Sequence, residues 1–161
     1  MSQSSFTEQS RQPLSGHVAM PRLWRYDAAG AVGLADQLAA IDASLAAMPD
    51  RLIDAGRLPG FVLVSAAIEA RLVGYAIGSL LDDTVRIEPL AVVSALPAAE
   101  AEAIVGSLVE EILAVHSRPW AQISLPAGSS ALAHLLRRGW RPTSGRPTTG
   151  DLVLCGAEAR P

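Results

Sequence analysis

The side chains able to do chemistry are few and scattered. His17, His116 and His134 are the only histidines and Cys155 the only cysteine. No two histidines stand at i, i+4 and none has a cysteine nearby, so the ligand spacing of a metal site is missing and no metal is expected. Serines are plentiful, yet no Gly-x-Ser-x-Gly elbow occurs and no Ser, His and acid can be joined by spacing into a hydrolase triad. Arg137, Arg138, Arg141 and Arg146 form a basic cluster that reads first as a solvated face and second as a seat for a phosphate or an acidic partner. The remaining feature is a break in a strand pattern. Val85 to Val93 (VRIEPLAVV) contains Pro89, which cannot donate to a sheet ladder and therefore predicts a bulge or a splayed edge, with Glu88 immediately before it.

The elements that must position these residues fit one domain. With 161 residues, 50% of them hydrophobic, the chain has ample material for a single core. Charged residues make up 18% and the net charge is −3, with a pI near 5.5 and a mean hydropathy of +0.28. That balance lacks the basic stripe of nucleic-acid binders, so no nucleic-acid partner is expected. Arg71, Asp82 and Asp83 interrupt the longest apolar stretch below the ~18 residues of a membrane helix, and the polar N-terminus has no signal-like apolar region. One cysteine permits no internal disulfide, and a small apolar environment is its expected setting. A cytoplasmic protein without a membrane partner is the expectation. Residues 1–19 read as a flexible arm, 20–157 as one domain and 158–161 as a tail.

Leu34, Leu38, Ile41, Leu45 and Met48 repeat at spacings of four and three, which predicts an amphipathic helix from Ala31 to Met48 that Pro49 stops. Its stripe serves the core by default and a dimer seam as the alternative. Phe61–Ala66 and Leu72–Leu80 predict a hairpin around a loop at Ala67–Arg71, and Asp82-Asp83-Thr84 turns the chain into the Pro89 strand. Pro97 to Val115 carries two apolar stripes, Ile104/Leu108/Ile112 and Val105/Val109/Leu113, and is the strongest helix pattern. Trp120–Leu125 predicts a strand, Ser129–Arg138 a helix ended by Gly139, and Trp140–Thr143 and Leu152–Cys155 two more strands. Trp24, Trp120 and Trp140 are expected in the core. The order predicts a mixed α/β domain.

Three stretches in this order resemble the GNAT family of acyl-CoA-dependent N-acyltransferases. They are PGFVLVSAAIEARLVGYAIG (Pro59 to Gly78), similar to the family's hairpin, IEPLAVV (Ile87 to Val93), similar to its bulged fourth strand, and ALAHLLRRGW (Ala131 to Trp140), similar to its late helix. The likeness spans roughly residues 21 to 156. It implies an α+β fold with a mixed, mostly antiparallel central sheet, flanking helices and a splayed strand pair, with acetyl-CoA or another acyl-CoA lying in the splay. By the same resemblance, the backbone at Leu90, Ala91 and Val92 would face the thioester carbonyl, where negative charge develops during attack by an amine. Glu88 would take the amine's proton, directly or through water.

Two departures from the family pattern bear on function. The window where members carry Q/R-x-x-G-x-G/A, whose backbone surrounds the cofactor pyrophosphate, is Ser94 to Ile104 here and has no Gly, Arg or Gln. Ala101 and Ala103 are small enough for close approach, while Glu100 and Glu102 bring negative charge that reads first as complementing the helix dipole. Where many members have a tyrosine that protonates the leaving thiolate, this chain has Leu135, and His134 beside it reads as a surface or interface residue. The implied function is transfer of an acyl group, acetyl foremost, from acyl-CoA or an acyl-carrier protein to a small-molecule or protein amine. The alternative is a catalytically degenerate protein of the same fold, acting as a binding or assembly subunit in a homodimer or with a protein partner.

Overall fold

The computed structural model describes residues 20–42, 48–118, 121–126, 128–143 and 151–155. The expected N-terminal arm and C-terminal tail, and with them His17, Leu45, Trp120 and Arg146, lie outside the described residues. The described chain runs β1 (Arg22–Tyr26), α1 (Ala28–Val32), α2 (Ala35–Ile41), α3 (Met48–Gly56), β2 (Val62–Ile68), β3 (Arg71–Leu81) and β4 (Thr84–Val92). It continues through α4 (Ala98–His116), β5 (Ala121–Pro126), α5 (Ser130–Arg137), β6 (Arg141–Pro142) and β7 (Asp151–Cys155). One seven-stranded sheet has the order β1-β2-β3-β4-β5-β7-β6, antiparallel throughout except for the parallel β4–β5 pair. The mixed, mostly antiparallel sheet with flanking helices expected from the sequence is the one found.

The hairpins close more tightly than the sequence suggested. Glu69 and Ala70, at φ of 50° and 64°, make a two-residue turn in place of the five-residue loop expected at Ala67–Arg71. Two left-handed residues in succession match the twist of the strands they join. Asp82 and Asp83, at 47° and 61°, repeat the device between β3 and β4.

Alternation along β2 and β3 feeds a core on each face of the sheet. Val64, Ala66 and Ala76 pack against Ile104, Leu108 and Ile112 of α4. Leu63, Tyr75 and Ile77 face the other way, toward Ala31, Leu38 and Leu52 of the short helices. Both apolar stripes predicted for α4 are on its packed side, with Ile104, Val105, Leu108, Val109 and Ile112 buried and Leu113 partly so. An ideal Cβ at Gly78 would lie 2.6 Å from Ile112 Cγ2, so glycine there is what lets α4 settle on the sheet.

The helix expected at Ala31–Met48 is divided. Asp27 caps α1 by accepting the Gly30 N–H at 2.8 Å, the chain bends at Gly33 and Leu34, and Asp42 leaves the helical region at φ −126°. Leu38 and Met48 are still buried, with Leu34 and Ile41 packed beside them, because the period reports the face even where the helix breaks. Pro49 does not stop a helix; it sits in the first turn of α3, where its missing N–H costs nothing. Trp24 is also not in the core: it is 54% exposed, on the edge strand β1. Trp140 does pack against the α4-side core.

The predicted break at Pro89 is present. Ala76 pairs with Leu90 and Gly78 with Ile87, so two steps along β3 answer three along β4, and the extra residue falls at the cis-linked Glu88-Pro89 pair. On its other side, β4 pairs with β5 only at Val85–Ile87 against Ala121–Ile123, while β5 continues to Pro126 alongside β7. Beyond Ile87 the two strands part.

Candidate active site

A cavity of about 270 Å³ fills the space where β4 and β5 part. Leu90, Ala91 and Val92 form its β4 wall, and Leu125 and Pro126 its β5 wall. From one face of the sheet it is closed by Ala101 and Val105 of α4 and by Ser129, Ser130 and Ala131 at the start of α5. From the other face, Ile41 and Asp42 at the end of α2 reach it. The cavity has room within the sheet because β4–β5 pairing is confined to Val85–Ile87.

The ladder also aims the backbone. Val93 N–H donates to Val73 O at 2.9 Å, and antiparallel alternation then turns the Ala91 groups toward β3 and those of Leu90 and Val92 away from it. The Leu90 and Val92 N–H groups therefore face the opening, where an oxygen between the walls can accept from them.

Of the residues singled out from sequence, Leu90, Ala91, Val92 and Ala101 are brought together on this cavity. Ala103 is exposed on the next part of α4 and does not line it. Glu88 does not line it either; its side chain is about half exposed, 3.9 Å from the Arg86 guanidinium, at the mouth of the bulge. α4 begins at Pro97 without a side-chain cap, and Ala101 N–H is the first to find its helical partner, Pro97 O, at 3.0 Å. The N–H groups of the first turn thus present partial positive charge beside the cavity wall at Ala101.

The two glutamates of that region point away from the opening. Glu102 is held by Arg137 and His134 of α5, and the Arg137 hydrogen bond in particular keeps its carboxyl below the usual carboxylate range. Glu100 lines a separate groove with Arg71 and Leu96. Neither carboxylate lines the cavity, whose α4 side offers the small side chain of Ala101 beside the free N–H groups of the helix start. Two arginines of the predicted basic cluster are engaged: Arg137 pairs with Glu102, and Arg138 with Glu110 at 2.6 Å. His134 lies between α5 and α4, 3.5 Å from Glu102, and Leu135 is buried in the α4-side core. His116, at the far end of α4, has its pKa pushed down by burial and then by Arg118.

Sequence reading missed Asp42, Ser129 and Ser130. Nothing local marks Asp42 as a site residue, since only the tertiary fold carries the end of α2 to the gap between β4 and β5. Among the described residues, no helix is long and apolar enough to cross a membrane and no group of His, Cys, Asp and Glu could hold a metal ion.

No protein-family model matches the sequence, and no curated protein matches it. Solved structures do match. The chain is similar to a ribosomal-protein-S18-alanine N-acetyltransferase from Escherichia coli, at 12% identity and a TM-score of 0.62 over 88% of this chain and 96% of that one. It is similar to an aminoglycoside 6'-N-acetyltransferase complexed with coenzyme A, at 14% identity and a TM-score of 0.65 over 87% and 98%. A third is the PaiA N-acetyltransferase from Thermoplasma acidophilum in complex with coenzyme A, at 8% identity and a TM-score of 0.58 over 84% and 98%. The bulged β4, its divergence from β5 and this structural likeness agree: the chain has the GNAT fold of the acyl-CoA N-acyltransferases.

Proposed function

We propose that this protein transfers an acyl group, acetyl foremost, from an acyl-CoA to an amine by direct attack. The observation that carries the reading is the cavity at the strand divergence, lined from both faces of the sheet and walled on one side by Leu90, Ala91 and Val92 of β4. Its volume lies just below the roughly 300–1,000 Å³ of pockets for drug-sized ligands, which suits the reacting end of a long donor. The remainder would run past Ala101 to the first turn of α4. The Leu90 and Val92 N–H groups, with Ala91 between them, hold the thioester carbonyl and stabilise the charge that builds on its oxygen. As the amine's C–N bond forms and the C–S bond breaks, Glu88 receives the amine's proton directly or through water, and the sulfur departs as thiolate. A thiol of pKa near 8.5 is a tolerable leaving group without a dedicated acid, so Leu135 in place of a tyrosine slows the step without abolishing it.

Isothermal titration of the native chain with acetyl-CoA and longer acyl-CoAs tests this. Saturable binding is expected, and no binding at millimolar ligand overturns it. A second reading, a degenerate subunit of this fold, is favoured by Leu135 being buried and by the absence of glycine from residues 94–104. It requires a protein partner or a homodimer in solution, and micromolar affinity for CoA counts against it.

A further inference from the structure

β1 stands at one end of the strand order, so the outer backbone groups of Arg22–Tyr26 have no neighbour among the described strands. Open edges are commonly blunted by a bulge, a proline or unpaired charge. β1 runs against β2 residue for residue without a bulge, and the Arg25 charge is taken by Glu111 of α4. What the edge shows instead is apolar: Met20 is 87% and Trp24 54% exposed. Arg22 is exposed as well and has no ion pair among the described residues. Arg22 and Trp24 share the short-helix face of the sheet, since Trp24 pairs with Ser65 and Tyr26 with Leu63. Beside them lies a cavity of about 420 Å³, lined by Met20, Arg22 and Trp24 and by Glu69 and Ala70 at the hairpin turn. An exposed indole thus sits beside a hollow wide enough for a second one.

We propose that this edge pairs with the same edge of a second copy of the chain, antiparallel about a two-fold axis at Leu23, with Trp24 of each copy entering the other's cavity. The register follows from the residues. Outward backbone groups oppose one another only if the axis passes through a residue rather than between two. At Arg22 or Arg25 it would set arginine against arginine, and at Tyr26 it would pair only the end of the strand. At Trp24 it would stack indole on indole and leave Leu23 opposite Arg25. At Leu23 it sets leucine against leucine on the α4 face and, on the other face, Trp24 of each copy against Arg22 of the other. A guanidinium over an indole is an attractive pairing. Met20 then falls opposite Tyr26, a sulfur beside an aromatic ring. Each contact occurs twice, as an isologous interface requires. β2 and β3 stand between β1 and β4, so the joint is separate from the strand divergence and compatible with either reading of the cavity there.

Sedimentation velocity of the full chain over a concentration series tests this, with Trp24→Arg and Trp24→Glu beside the native protein. A joint one strand long is small, so a dissociation constant on the order of 10 µM is expected for the native dimer. Trp24→Arg sets guanidinium against guanidinium and should weaken the dimer by at least about a hundredfold. Trp24→Glu gives each Arg22 a carboxylate instead and should weaken it by no more than about tenfold, a contrast that mere loss of an apolar patch does not produce. Because Trp24 is half exposed in the single chain, both variants should keep the native melting temperature in dilute protein. A native protein that stays monomeric at about 200 µM, a dimer that survives Trp24→Arg, or equal losses in the two variants overturn the proposal.

Discussion

Glu88 and Asp42 are both carboxylates near the strand divergence, and their surroundings differ. Glu88 is half exposed at the bulge with Arg86 at 3.9 Å, open to water that can relay a proton, whereas Asp42 is partly buried on the cavity wall. Glu88→Gln should therefore lower kcat on the order of 10²-fold while leaving acyl-CoA affinity unchanged, as read by steady-state kinetics beside calorimetry. Unchanged turnover would remove the base assignment only. Sequence exposed one of these residues and concealed the other for a physical reason. Pro89 announces its own break in the ladder and so marks Glu88 and the Leu90–Val92 backbone, but Asp42 gains its place from packing between segments far apart in the chain.

At the scale of elements, α4 sets the site because it closes one side of the cavity and must sit close to both the sheet and α5. Its contact with the sheet passes through Gly78, where an added Cβ would meet Ile112 Cγ2 at 2.6 Å in a packed core. Gly78→Ala should cost about 1–3 kcal/mol in a urea titration, since neither β3 nor α4 can retreat without opening the core. Gly106, on the α5 side of the same helix, gives the opposite expectation. There the added Cβ would meet the end of Arg138 at 2.9 Å and His134 Nε2 at 3.3 Å, and an exposed arginine can swing aside. Gly106→Ala gains helix propensity of about 0.8–1 kcal/mol and should be neutral or stabilising. Equal losses at the two glycines would contradict this account of how α4 is held. The helix itself was legible, because its paired apolar stripes run without interruption from Ile104 to Leu113, nearly three turns. The short helices were not: the bend at Gly33 and Leu34 and the exit at Asp42 divide a predicted helix whose period continues across the breaks. β1 escaped notice for a related reason, since an edge strand with Trp24 and two arginines exposed shows little apolar alternation.

For the whole molecule, the two cores share the same strands, and the site draws a wall from each. Neighbouring residues Leu63 and Val64, and Tyr75 and Ala76, point to opposite clusters, so neither face can lose its packing without loosening the strands that carry the other. Unfolding should accordingly be one cooperative step, with tryptophan fluorescence and far-UV circular dichroism tracing the same urea transition. Leu108→Ala on the α4 side and Leu52→Ala on the short-helix side remove fully buried side chains, and each should cost about 2–5 kcal/mol. Both should move the single transition rather than split it. The site supplies a further readout, because β4 belongs to the shared sheet while α2 and α4 belong to different cores. Ligand binding should vanish over the same urea range as the helical signal in both variants. A Leu52→Ala protein whose short-helix side melts first, leaving α4 and a folded sheet behind in a second transition, would show that the two faces are separable and that the cavity is assembled from independently stable parts.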